Sequence, residues 1–316
     1  MNAVLWISIQ PRTDADRENL ARGLTALAAE DPSIRFDTDP MFGDTIIGAT
    51  WEEPLEVIID RLKREFKVEA SVGRPRVAYK EGLTRPADGE MKYVSQVGGA
   101  GQYAHVKLRV RPGAPGTGFV FHNSVTGGAI PGEFIKPIEY GIEAALARGV
   151  VAGYPIEDVR VDLYDGSYHD IDSSETAFRI AGSMAFQAAA RQAGPVVLEP
   201  IMRVQLTVDD EYADDVRGNL LSRRGKNLSQ HARGDTHYIS AWVPLAELFG
   251  YSCDLRSRTR GRGAVVGVEL VGYAPAPPLD DDDDRDSRVG EPRKPRLPLR
   301  AFGIALPEPD PDETAR

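Results

Sequence analysis

One pattern of apolar spacing occurs twice in this chain of 316 residues, and it limits the available folds more than any other feature. Residues 3–9 are strand-like, and residues 14–29 place Leu20, Leu24 and Leu27 at helical spacing. Short strand patterns come next, at 34–37 and 45–49. A second helical stretch at 52–65 sets Leu55, Ile58, Ile59 and Leu62 on one face, with Pro54 tolerable in the first turn. Residues 66–70 close the set as a strand. The order β-α-β-β-α-β is that of a split βαβ sandwich. It returns in residues 200–272. There, strand 202–208, helix 211–221, and strands 227–231 and 238–243 around the turn Arg233-Gly234-Asp235-Thr236 lead to a helix starting at 245–249 and a final strand at 264–271.

The segment between the two repeats reads differently. Strand patterns at 76–79, 92–97, 105–111 and 118–123 precede a helix at 133–147, a strand at 158–163 and a helix at 173–192. The expected organisation is α+β, with domains at 1–73, 74–198 and 199–273 and a tail at 274–316. The tail is rich in proline and charge without an apolar period, which predicts disorder and favours an inert solvated segment over a binding arm.

Charge and cysteine usage narrow the function. The net charge is −10; residues 280–316 hold eleven acids against seven bases, so −6 remains on the rest. Any nucleic-acid contact must come from local basic patches rather than a global field. The N-terminus lacks a signal-peptide pattern, and no apolar run is long enough for a membrane span, which predicts a cytoplasmic protein. The single cysteine, Cys253, excludes an internal disulfide and is expected to be a small core residue.

No phosphate-cradling G-x-x-x-x-G-K-[ST] segment occurs, nor an Asn-Lys-x-Asp guanine-reading segment, so no GTP hydrolysis is expected of this chain. Gly99-Ala100-Gly101-Gln102-Tyr103-Ala104 satisfies a loose dinucleotide pattern, but residues 105–110 then alternate with period two. Without a helix N-terminus no pyrophosphate is held. The segment reads instead as a glycine-rich hairpin. Its outgoing strand has an apolar face of Val106, Leu108 and Val110 and a basic face of His105, Lys107, Arg109 and Arg111. That face suits either a solvated strand or a ribbon entering an RNA groove.

Residues 164–175 are dense in functional side chains. Asp165-Gly166 signals a turn, and Asp172 with Glu175 fits a helix N-cap with its reciprocal acid. Calcium-loop spacing is absent, His169 has no zinc partner at ligand spacing, and no nucleophile lies near it as a base would require. An exposed turn presenting His169 remains. Two basic clusters lie further on. Arg223, Arg224 and Lys226 end a helix, where cations complement the dipole. Arg256, Arg258, Arg260 and Arg262 recur at every second position, which reads as an extended glycine-bearing loop suited to phosphate.

These strings together resemble elongation factor G from about residue 7 to residue 272. The matching segments are 60–69 (DRLKREFKVE), 98–106 (GGAGQYAHV), 127–135 (GGAIPGEFI), 163–175, 180–185 (IAGSMA), 198–204 (LEPIMRV) and 254–263. The resemblance is to the third, fourth and fifth domains of that family. It implies ferredoxin-like outer domains around a left-handed βαβ domain shared with some ribosomal proteins. It also implies the ribosome as partner, with no cofactor and no membrane. The two tip loops of the middle domain would approach the decoding region and the tRNA–mRNA duplex, placing Gly99, Gly101, Gln102, Tyr103, His105, Gly166, Ser167 and His169 there. Arg223, Arg224, Lys226, Arg256, Arg258 and Arg262 would face the large subunit's factor-binding RNA and stalk base.

Departures accompany the match. The loop that faces the GTPase domain in the family reads GATWEEPLE here (residues 48–56), the tip arginine is Ala100, and the glycine before the histidine is Ala104. The closing helix is replaced by the acidic tail. A Met1 start at the first strand and the diverged loop suggest a stand-alone paralogue acting at the factor site. The alternatives are a truncated factor that needs a separate GTPase domain or subunit, or a regulatory scaffold for another protein.

Overall fold

The computed structural model describes residues 3–31, 34–38, 44–97 and 100–277. The expected disorder of the tail falls, beyond Pro277, outside the described residues, as does Gly99. Two compact units form. One joins the chain up to Ala78 to Pro200–Tyr273, and the other is Tyr79–Glu199 with residues 274–277.

The first unit opens with β1 (Leu5–Pro11), α1 (Asp14–Glu30), β2 (Arg35–Thr38), β3 (Thr45–Ala49), α2 (Glu52–Arg64), β4 (Ala70–Val72) and β5 (Arg76–Val77). The sheet order is β2-β3-β1-β4, with β5 also on β1, which is the ferredoxin-like arrangement. Thr13 caps α1 by accepting from the Asp16 N–H at 3.1 Å. Leu20, Leu24 and Leu27 are buried beneath it, with Leu55, Ile58 and Leu62 of α2. The helices approach closely at Gly23, where a Cβ would lie 2.7 Å from Leu62. The expected strand at 66–70 is instead mostly a helix exit. Lys67 takes φ +57°, its successor's N–H bonds Leu62 O, and pairing begins only at Ala70.

In the second unit come β6 (Lys80–Leu83), β7 (Ala87–Val97), β8 (Ala100–Pro112), β9 (Phe119–Asn123), α3 (Ile135–Arg148), β10 (Val159–Ser167), α4 (Glu175–Gln192) and the start of β11 (Pro195–Asp209). The sheet order is β7-β8-β10-β9, with β9 and β10 parallel across α3. Ala104, Val106, Leu108 and Val110 of β8 and Val159, Val161 and Leu163 of β10 are almost wholly buried. They meet Ala181, Ala185, Phe186 and Ala189 of α4, so small side chains let that helix lie close to the sheet. The Glu81 carboxylate, fully buried, accepts from the backbone N–H groups of Val150, Val151, Ala152, Gly153 and Tyr154. It thereby orders the turn between α3 and β10.

The first unit closes with the rest of β11, α5 (Asp210–Ser222), β12 (Lys226–Arg233), β13 (Thr236–Pro244), α6 (Tyr251–Arg258) and β14 (Ala264–Pro275). Its order β12-β13-β11-β14 repeats that of the first sheet. The expected helix at 245–249 is a single 3-10 turn, Leu245–Leu248, and α6 starts after Gly250 at φ +66°. Cys253 is exposed rather than buried. The inward residues of α6 and its C-cap are Tyr251, Leu255 and Thr259, four apart, and Cys253 lies midway between the first two on the outer side.

Candidate functional site

Near the end of the β7–β8 hairpin, β8 meets the loop that follows β10. The Tyr103 N–H donates to Asp172 O at 2.8 Å, and Ser173 Oγ donates to Tyr103 O at 2.9 Å. The same Ser173 Oγ accepts from the His169 N–H at 2.9 Å. The Tyr103 and His169 rings lie 6.3 Å apart, and Lys92 Nζ sits 5.6 Å from the Tyr103 ring centre. His169 Nδ1 faces the N–H groups of Asp172 and Ile171 at 3.3 and 3.4 Å, with Asp172 Oδ2 3.3 Å away. Its side chain is half exposed (53%). Gln102 Oε1 accepts from Tyr93 OH at 3.3 Å. Two glycines allow the close approach. A Cβ on Gly101 would lie 2.5 Å from Asp172 Oδ1, and one on Gly166 would strike His105 O. The helix after the loop is capped by Ser174, which accepts from Ala177 N, and not by Asp172; the Asp172 carboxylate turns to His169 instead.

The basic face of β8 is present but neutralised. Arg109 forks onto Asp88 at 2.7 and 3.0 Å, Lys107 Nζ is 3.2 Å from Asp165, and His105 Nε2 is 2.8 Å from Glu90. Arg111 is 3.0 Å from Asp162, a mostly buried carboxylate that also faces Arg160 at 3.0 Å and His122 at 3.6 Å. The Arg109 fork holds the Asp88 carboxyl below the usual range, and the Gly166 N–H with Lys107 does the same for Asp165. The cross-strand register explains this, because Asp88 stands opposite Arg109 and Glu90 opposite Lys107.

In the first unit the arginines occupy a helix end and a turn rather than an extended loop. Arg256 and Arg258 lie on α6, and the chain then reverses through Arg260 (φ +50°) and Gly261 (φ +82°). Residues two apart on a helix point away from each other, so the alternating spacing spreads these cations. Arg223 bonds Asp254 at 3.0 Å and Glu247 O, and its guanidinium lies 5.0 Å from the Tyr251 ring centre. Arg224 pairs with Glu247 at 2.9 Å, Arg256 with Glu53 at 3.2 Å and Arg258 with Asp254 at 3.0 Å. Arg262 pairs with Glu211 at 2.7 Å and Asp209 at 3.7 Å. Lys226 is exposed at the start of β12.

The divergent loop at 48–56 holds an unusual carboxylate. Glu52, 7% exposed, accepts from the Gly250 N–H at 2.6 Å, while its Oε1 is buried without a described partner. Burial pushes its pKa up to about 7, aided by Glu56 and Glu53 and opposed by the Gly250 bond.

Among the described residues no helix is long and apolar enough to cross a membrane. Residues 2–74 match the family Elongation Factor G, domain III; residues 75–194 match Elongation factor G, domain IV; residues 196–283 match Elongation factor G C-terminus. A solved protein of Thermus thermophilus, ttk003000868, is 36% identical with a TM-score of 0.69, over 88% of this chain and 41% of that one. This chain thus spans less than half the length of that relative. With three consecutive matches covering both repeats and the segment between them, the chain belongs to the elongation factor G family.

Proposed function

We propose that this chain is a ribosome-binding translation protein that acts at the factor-binding site and the A site, in translocation, without hydrolysing GTP itself. The observation that carries the reading is the half-exposed His169 ring 6.3 Å from that of Tyr103, with Ser173 bonded to the backbone of both residues. A half-exposed ring pair of this kind suits contact with the tRNA–mRNA duplex in the decoding region, through stacking and hydrogen bonds rather than net charge. Arg223, Arg224, Lys226, Arg256, Arg258 and Arg262 are the proposed contacts to large-subunit RNA and the stalk base. The ion pairs of Arg256, Arg258 and Arg262 lie at the surface, where each is worth roughly 0–1 kcal/mol, so an RNA phosphate can take over a guanidinium there at small cost.

A second reading, a regulatory protein for a protein partner, is favoured by the neutralised β8 face and the net charge of −10. In the third, translocase activity needs a GTPase domain in a longer form or a separate subunit. Single-round translocation on purified ribosomes separates the three. The proposal expects the wild-type chain to alter tRNA movement without added nucleotide and His169→Ala to bind without doing so. An effect seen only when a GTPase domain is added supports the third reading, and no effect in either case contradicts the proposal.

A further inference from the structure

His105 lies beside the tip, yet its ring does not face outward. The side chain is 17% exposed and both ring nitrogens are engaged, Nε2 with Glu90 Oε1 at 2.8 Å and Nδ1 with Ser167 Oγ at 3.1 Å. Ser167 Oγ lies 2.8 Å from Tyr103 OH. Three strands therefore contribute to one polar chain: Glu90 from β7, His105 and Tyr103 from β8, Ser167 from β10.

The chemistry of the end group fixes its direction. A carboxylate accepts only, so the imidazole proton of a neutral ring must sit on Nε2. Nδ1 then carries a lone pair, and Ser167 must donate to it. Having spent its one hydrogen there, the serine oxygen accepts from Tyr103 OH. The order of donation is Tyr103 to Ser167 to His105 to Glu90, with each donor matched to one acceptor. Beyond Tyr103 the link continues through Ser173 Oγ, which donates to Tyr103 O and accepts from His169 N.

From this geometry we infer that His105 is a positioning residue, held as the Nε2–H tautomer, which sets the pose of His169 through Ser167 and Tyr103 and does not itself touch the ligand. The inference rests on the tip being the working end of the molecule, but its test does not. The test is 15N NMR of the histidine rings in the free full chain, at a pH where they are neutral. His105 should show a pyrrole-like Nε2 and a pyridine-like Nδ1. Glu90→Ala should remove that bias. Ser167→Ala and Tyr103→Phe should shift the His169 ring signals while His105 stays Nε2-protonated in both. Tyr103→Phe removes one oxygen and keeps the ring, so it remains informative if the serine variant folds poorly. A His105 ring protonated on Nδ1, or His169 signals unmoved by both variants, overturns the inference. Ribosome binding is not read here. An intact network with no ribosome binding overturns the functional reading alone, and a broken one with normal binding overturns this inference alone.

Discussion

At pH 8 the Glu52→Gln variant is expected to be at least as stable as the wild-type chain, and by pH 5 the order should reverse. Glu52 starts α2 and accepts from Gly250, 198 residues away, while its second oxygen is buried without a described partner. The folded chain holds the carboxyl's pKa at about 7, against 4.5 when unconstrained. Between those values the folded state keeps a proton that the unfolded state has lost. Stability therefore falls as pH rises through that window and stays low above it. At about 1.4 kcal/mol per unit, the whole window is worth roughly 3 kcal/mol. Glutamine accepts from Gly250 equally well and never ionises. Its amide brings N–H groups to a buried position, a penalty of about 1–3 kcal/mol when unmatched. The expected net gain at pH 8 is about 0–2 kcal/mol, at most about 8 °C in Tm for a unit of this size, and at pH 5 the same amide penalty leaves the variant the less stable of the two. Glu56, also raised by burial and by Glu53, titrates in both proteins. Urea unfolding of both proteins at pH 5, 6, 7 and 8 measures their difference. A difference independent of pH would refute the reasoning.

Glu81→Ala should destabilise the second unit by about 3–5 kcal/mol, because five N–H donors lose a buried anion; urea unfolding would show it, and a loss under 1 kcal/mol would contradict the assignment. Gly141→Ala would press a methyl group against Arg179 O between α3 and α4 and should cost at least 1 kcal/mol; an unchanged thermal midpoint would contradict this. Arg256→Ala with Arg262→Ala should reduce the salt dependence of ribosome binding by about one slope unit per lost phosphate contact, with little change in stability. An unchanged slope would remove both from the RNA surface.

Local periodicity made much of the fold legible. Leu20, Leu24 and Leu27 announce α1, and the two repeats of β-α-β-β-α-β fold into sheets of the same strand order. The β7–β8 hairpin is announced by the period-two run after Gly101. The features hidden from the sequence depend on register or on distant contacts. The acids that neutralise β8 come from Asp88 and Glu90 across the hairpin and from Asp162 and Asp165 on a strand more than fifty residues away. Glu90 opposite Lys107 was available by counting outward from the turn; Asp165 required the sheet order. The arginine spacing misled because period two was carried by exposed residues, whereas the buried Tyr251, Leu255 and Thr259 keep the helical period. Nothing local marks Ser174 over Asp172 as the cap, since both have suitable side chains.

Co-sedimentation of the purified chain with intact ribosomes across a salt series tests the central claim most directly. The account predicts saturable binding that weakens as salt rises and is displaced by authentic elongation factor G. Absence of binding at low salt, or binding that elongation factor G leaves undisturbed, would contradict it.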